Sequence, residues 1–62
     1  MVAALNNSQV WILNATESEG VLVVEQEQGE TDCVVLQVER AVFSKGDLER
    51  AGRLLLDVAG RL

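Results

Sequence analysis

Three stretches of the chain place apolar side chains in short runs or alternation, and a fourth changes period. Residues 9–15 (QVWILNA), 21–27 (VLVVEQE) and 33–42 (CVVLQVERAV) are rich in β-branched types and read as strands. Thr16 to Gly20 separates the first two as a turn, with Gly20 free to take positive φ. Gln28-Gly29 marks the tip between the second and third. Beyond Val42, Leu48, Ala51, Leu55, Val58, Ala59 and Leu62 recur at three- and four-residue spacing, the signature of one helix stripe. Ser44 is a favourable N-cap, and Asp47 stands where a capping box needs an acceptor. Phe43 and Leu48 are placed to form a hydrophobic staple across the same helix start, and Gly60 to stop the helix.

The pattern predicts an α+β fold: a three-stranded antiparallel β-meander followed by one C-terminal helix packed on the sheet, βββα. One domain spans 1–62, with an N-terminal arm at 1–8, the meander at 9–42 and the helix at 44–61. A two-residue hairpin at Gln28-Gly29 sets Val24 opposite Cys33 and Leu22 opposite Val35. Pairing the first two strands around Ala15 and Gly20 puts Trp11, Leu13, Leu22, Val24, Cys33 and Val35 on one face. The other face then carries Val10, Ile12, Val21, Val23, Val34, Leu36 and Val38. A half-solvated antiparallel sheet alternates apolar and polar residues, and this one is apolar on both faces. Leu54 and Leu56 widen the helix stripe to an arc of roughly 200°, about twice what one core contact requires. On the remaining helix face, Glu49, Arg53, Asp57 and Arg61 follow an i, i+4 ladder of alternating charge.

Composition sharpens this into an expectation of partnership. A domain of 62 residues buries only about 60% of its unfolded surface, so small domains lean on disulfides, metals or oligomerisation. With one cysteine and no histidine, the first two supports are weak here. The surfaces expected to meet a partner are Val10, Ile12, Val21, Val23, Val34 and Leu36 of the sheet and Leu54 of the helix. The longest apolar run is five residues, Met1 to Leu5, and runs such as Val10 to Leu13 and Val21 to Val24 are four, too short for a membrane span or a signal-peptide core. Asn14-Ala15-Thr16 matches the glycosylation triplet, but without a secretory signal it reads as chance. A lone thiol points to a reducing, cytoplasmic setting.

Charge is segregated. Residues 1–39 hold seven acids and no base, whereas residues 40–62 hold five bases and three acids. The expected hairpin sets Glu27 opposite Glu30 and Glu25 opposite Asp32, an acidic tip that either opens into a loop or meets something basic. A net charge of −5 opposes nucleic-acid binding, which depends on neutralising phosphates.

Catalytic chemistry is thin. Cys33, in a run of valines, reads as a core thiol; Ser44 is absorbed by capping, and the acids lack calcium-loop spacing. Trp11 alone is no stacking platform and reads as a core anchor. A strand meander followed by Gly46-Asp47-Leu48-Glu49-Arg50-Ala51 is similar in order to small antitoxin domains with a partly formed ribonuclease-H-like sheet. The likeness covers these six residues; the family's proline- and glycine-containing stretch before the helix and its later strand are missing. The expected function is a non-enzymatic interaction module or subunit, homodimeric, without cofactor, metal, nucleic acid or membrane. The second reading is an acidic inhibitor or antitoxin-like protein occupying a basic surface of another protein.

Overall fold

The computed structural model describes residues 8–62, so the arm expected at 1–8 lies, Ser8 apart, outside the described residues. Strands β1 (Gln9–Asn14), β2 (Val21–Gln26) and β3 (Val35–Val38) form one antiparallel sheet in the order β1-β2-β3. Helix α1 (Lys45–Arg61) follows and rests over β1, giving the expected βββα order. No helix among the described residues is long and apolar enough to cross a membrane.

The β1–β2 register is the expected one, with Trp11 opposite Val24 and Leu13 opposite Leu22. The β2–β3 register is not. Val24 stands opposite Leu36 and Leu22 opposite Val38, a slip of three residues from the two-residue hairpin. Gln28-Gly29 does make a tight turn, with Gly29 at φ 92° and the Glu30 N–H donating to the Glu27 carbonyl at 3.0 Å. The strands do not resume at once, and residues 27–34 stay outside the ladder. The physical reason is charge: in the tight register four carboxylates would face one another in pairs, and Glu25 instead stands opposite Val35. Because side chains alternate, an odd slip exchanges the faces of β3. Leu36 and Val38 join Trp11, Leu13, Leu22 and Val24; Val35 joins Val10, Ile12, Val21 and Val23.

Burial shows which face is the core. Val24, Leu13 and Val58 of α1 are buried, so the helix packs on the Leu13–Val24 face. Trp11 is half-buried beside them. The helix stripe is rotated from the expected one: Asp47 and Val58 are buried, and Ala51 and Leu54 between them half-buried. Leu48, expected as a staple, is 62% exposed, and Leu55, Leu56 and Leu62 are exposed too. Phe43 lies instead against Gly20. Gly20 has no positive φ; a Cβ there would collide with the Ala41 Cβ, so glycine is required by close approach. Residues 39–42 leave the ladder and run past this turn, which ends β3 at Val38, short of the expected 42. Gly60 lies inside the helix, which is closed by the Leu62 N–H donating to the Ala59 carbonyl at 3.2 Å.

Candidate functional site

Two polar arrangements and one apolar surface stand out. The first polar arrangement centres on Asp47, which is 1% exposed. Its carboxylate accepts from the Ser44 N–H (3.0 Å), the Thr16 N–H (3.2 Å), Thr16 Oγ1 (3.0 Å) and Arg50 Nη2 (2.8 Å). Ser44 Oγ accepts from the Asp47 N–H at 3.1 Å, completing the capping box the sequence predicts. Arg50 Nη2 also donates to the Asn14 carbonyl at 3.0 Å. The backbone N–H of Ser44, then the Arg50 guanidinium and the Thr16 donors, hold the Asp47 carboxyl well below the usual carboxylate range. An anchored, ionised carboxylate with every lone pair engaged ties the β1–β2 turn to the helix start. It is a joint rather than an acid or base in waiting.

The second is the loop at 27–34. Cys33 is exposed, against the expectation of a core thiol, because the register slip releases it from the sheet. Its Sγ donates to Glu30 Oε1 at 2.8 Å. That hydrogen bond, then partial desolvation and the charges of Glu30 and Asp32, push the thiol up to about 11. The thiolate, not the thiol, is the nucleophile, so Cys33 is quenched at neutral pH chiefly by its hydrogen bond to Glu30, with desolvation and the nearby acids adding to it. Glu30, Asp32 and Cys33 each offer one ligand atom, all within 4.8 Å of one another. All three are exposed, and the thiol would have to lose its proton before binding a metal. The Gln26 side chain donates to the Glu30 carbonyl at 2.9 Å, bracing the loop. Of the four residues of the expected acidic tip, Glu27, Glu30 and Asp32 are in this exposed loop, while Glu25 is half-buried within β2.

The apolar surface is the larger feature. Val10, Ile12, Val21 and Val35 are exposed on the sheet face away from the helix, with Val23 half-buried among them. On the helix side, Leu36 and Val38 are 54% and 51% exposed, because α1 lies over β1 at the far edge of the sheet. Of the expected contact residues, the structure thus brings Val10, Ile12, Val21 and Val23 together. It moves Leu36 to the opposite face and leaves Val34 half-buried before β3. Leu54 turns toward the sheet, and its neighbour Leu56, 76% exposed, takes the outward position. A shallow cavity of about 570 Å³ opens beside Val21, Val23, Gln37, Arg40 and Val42. Its one hydroxyl, Ser18 Oγ, is occupied, donating to the Val42 carbonyl at 2.8 Å and accepting from the Gly20 N–H at 3.1 Å.

The residue that sequence reasoning undervalued is Asp47. Its capping role was legible, but Thr16 lies 31 positions away and nothing in the local pattern links the two. No family model matches the chain, and neither does any curated protein or solved structure.

Proposed function

We propose that this chain is a non-enzymatic interaction module of the cytoplasm that self-associates to cover the apolar surface its single helix leaves open. The observation that carries the reading is the set of exposed side chains at Val10, Ile12, Val35, Leu36 and Val38, on both faces of a sheet of three strands. Monomers seldom expose large contiguous apolar patches, and such patches mark sites of association; here Val10, Ile12 and Val35 lie on one face and Leu36 and Val38 on the other. The polar groups fit a structural role: Asp47 is fully engaged, Ser44 and Ser18 are bound in caps and turns, and the Cys33 thiol is suppressed. Sedimentation equilibrium at micromolar concentration tests it. A dimer mass is expected, with a melting temperature that rises with concentration. A clean monomer with concentration-independent melting overturns it. Leu56→Glu separates helix-mediated contact from sheet-mediated contact without disturbing the core.

A second reading is favoured by one feature, the exposed loop carrying Glu27, Glu30 and Asp32 with no ion pair among the described residues. Such a loop suits an inhibitor or antitoxin-like protein that sits on a basic surface. Its mark is binding to a cationic partner that weakens steeply with salt.

A further inference from the structure

We propose that two copies of the chain join edge to edge along β3, antiparallel about a two-fold axis at Leu36, so that the three strands of each copy become one continuous sheet. This rests on the self-association reading above and adds its geometry. β3 is an edge strand by the order β1-β2-β3, and all four of its residues, Val35 to Val38, are exposed. Natural sheets protect such edges with proline, lysine, bulges or a covering element. The chain has no proline, β3 holds no charge, its register with β2 runs without a bulge, and α1 sits over β1 instead. Among the described residues nothing covers this edge; such an edge is a template for another strand, and a second copy supplies an identical one.

The sequence about Leu36 is self-complementary. In Asp32-Cys33-Val34-Val35-Leu36-Gln37-Val38-Glu39-Arg40, residues equidistant from Leu36 become partners when the strand pairs with its own copy. Leu36 then meets Leu36, and Val34 meets Val38. Val35 meets Gln37, and beyond the strand ends, where the chain bends out of the ladder, Asp32 is carried toward the other copy's Arg40. Arg40 is the first base in the chain and makes no ion pair among the described residues. Antiparallel pairing also sends the two acidic loops to opposite ends of the joint, each toward the other copy's Arg40. Parallel pairing would set six loop acids side by side. Centring the axis on Gln37 instead would place Val35 against Glu39 and Val34 against Arg40, forfeiting both matches. An axis perpendicular to the sheet keeps both helices on one side. Leu36 and Val38 of the two copies then form a single apolar strip.

Disulfide trapping tests this. In the variant Cys33→Ser/Leu36→Cys, the two introduced thiols face each other with Cα atoms about 5 Å apart, within disulfide reach. The native Cys33 residues are offset by six positions, about 20 Å, and stay unlinked. Oxidation at a concentration that gives the dimer mass should therefore yield a covalent dimer for the Leu36→Cys variant. It should yield none for the native chain or for Cys33→Ser/Ile12→Cys. Arg40→Asp should weaken the dimer about tenfold through its two symmetry-related pairs, and adding Asp32→Arg should restore it. A dimer that links through Ile12→Cys and not Leu36→Cys, or one the charge exchange does not restore, overturns the edge joint while self-association stands. A monomer at every concentration overturns both.

Discussion

Asp47 is buried while remaining a carboxylate because four hydrogen-bond donors replace its water. Since folding lowers its pKa, its contribution to stability is fully present above the unfolded carboxylate range, about pH 4, and is lost as pH falls through the folded value. Acid titration of the native chain should show stability falling below about pH 4. Asp47→Asn should flatten that limb and be less stable at neutral pH, as chemical denaturation at pH 3 and pH 7 would reveal. At Cys33 the shift has the opposite sign and a reactive consequence. With the thiol near 11, alkylation at pH 8 should run roughly a hundredfold slower than for an ordinary cysteine, and Glu30→Gln should accelerate it. Two glycines behave oppositely. Gly20→Ala drives a methyl group into Ala41 and should cost about 2 kcal/mol. Gly52, mid-helix with open space around it, should gain about 0.5–1 kcal/mol on Gly52→Ala. Thermal melts of the pair check both signs.

At the scale of elements, what could be read from the sequence was local chemistry, and what could not was set by distant partners. The cap at Ser44, the helix over Lys45–Arg61 and the β1–β2 register follow from residues within a few positions of one another. The β2–β3 register does not, because the two-residue turn at Gln28-Gly29 forms and the strands still refuse to pair beside it. Carboxylate repulsion outweighs a ladder of only a few bonds, and an odd slip then reverses every face assignment on β3. The inward helix stripe departs from the periodic one for a related reason. Asp47 is polar, so periodicity alone counts it outward, yet Thr16 and Arg50 draw it in, and Leu48 is turned to solvent. Ala51, Leu54 and Val58 then share the inward stripe, and the outward leucines become candidate contact surface. The capping box makes a quantitative demand on this element. Ser44→Ala should cost about 1 kcal/mol and Ser44→Gly only a few tenths. Equal losses for the two in urea denaturation would show that the hydroxyl is not what holds the helix start.

For the whole molecule the balance is between apolar attraction and a net charge of −5 on each copy. Edge-joined sheets place the two centres roughly three strand spacings apart, about 14 Å. Coulomb repulsion between two such charges in water is of the order of several kcal/mol at 0.01 M salt, where the Debye length is about 30 Å. At 0.15 M, with a Debye length of about 8 Å, it falls to the order of 1 kcal/mol. The Asp32–Arg40 pairs act in the opposite sense, but exposed pairs are worth about 0.2–1 kcal/mol each and cannot reverse the trend. The strand-to-strand hydrogen bonds and the side-by-side contacts of Leu36, Val38 and Val34 are nearly indifferent to these salt levels. Self-association should therefore strengthen, by at least about tenfold in dissociation constant, between 0.01 and 0.15 M sodium chloride. Sedimentation equilibrium across that range reads the sign directly. Were the acidic loop the principal contact, seated on a cationic surface, salt would loosen the complex instead. A dimer that weakens steadily with salt would move the centre of recognition from β3 to the loop at residues 27–34.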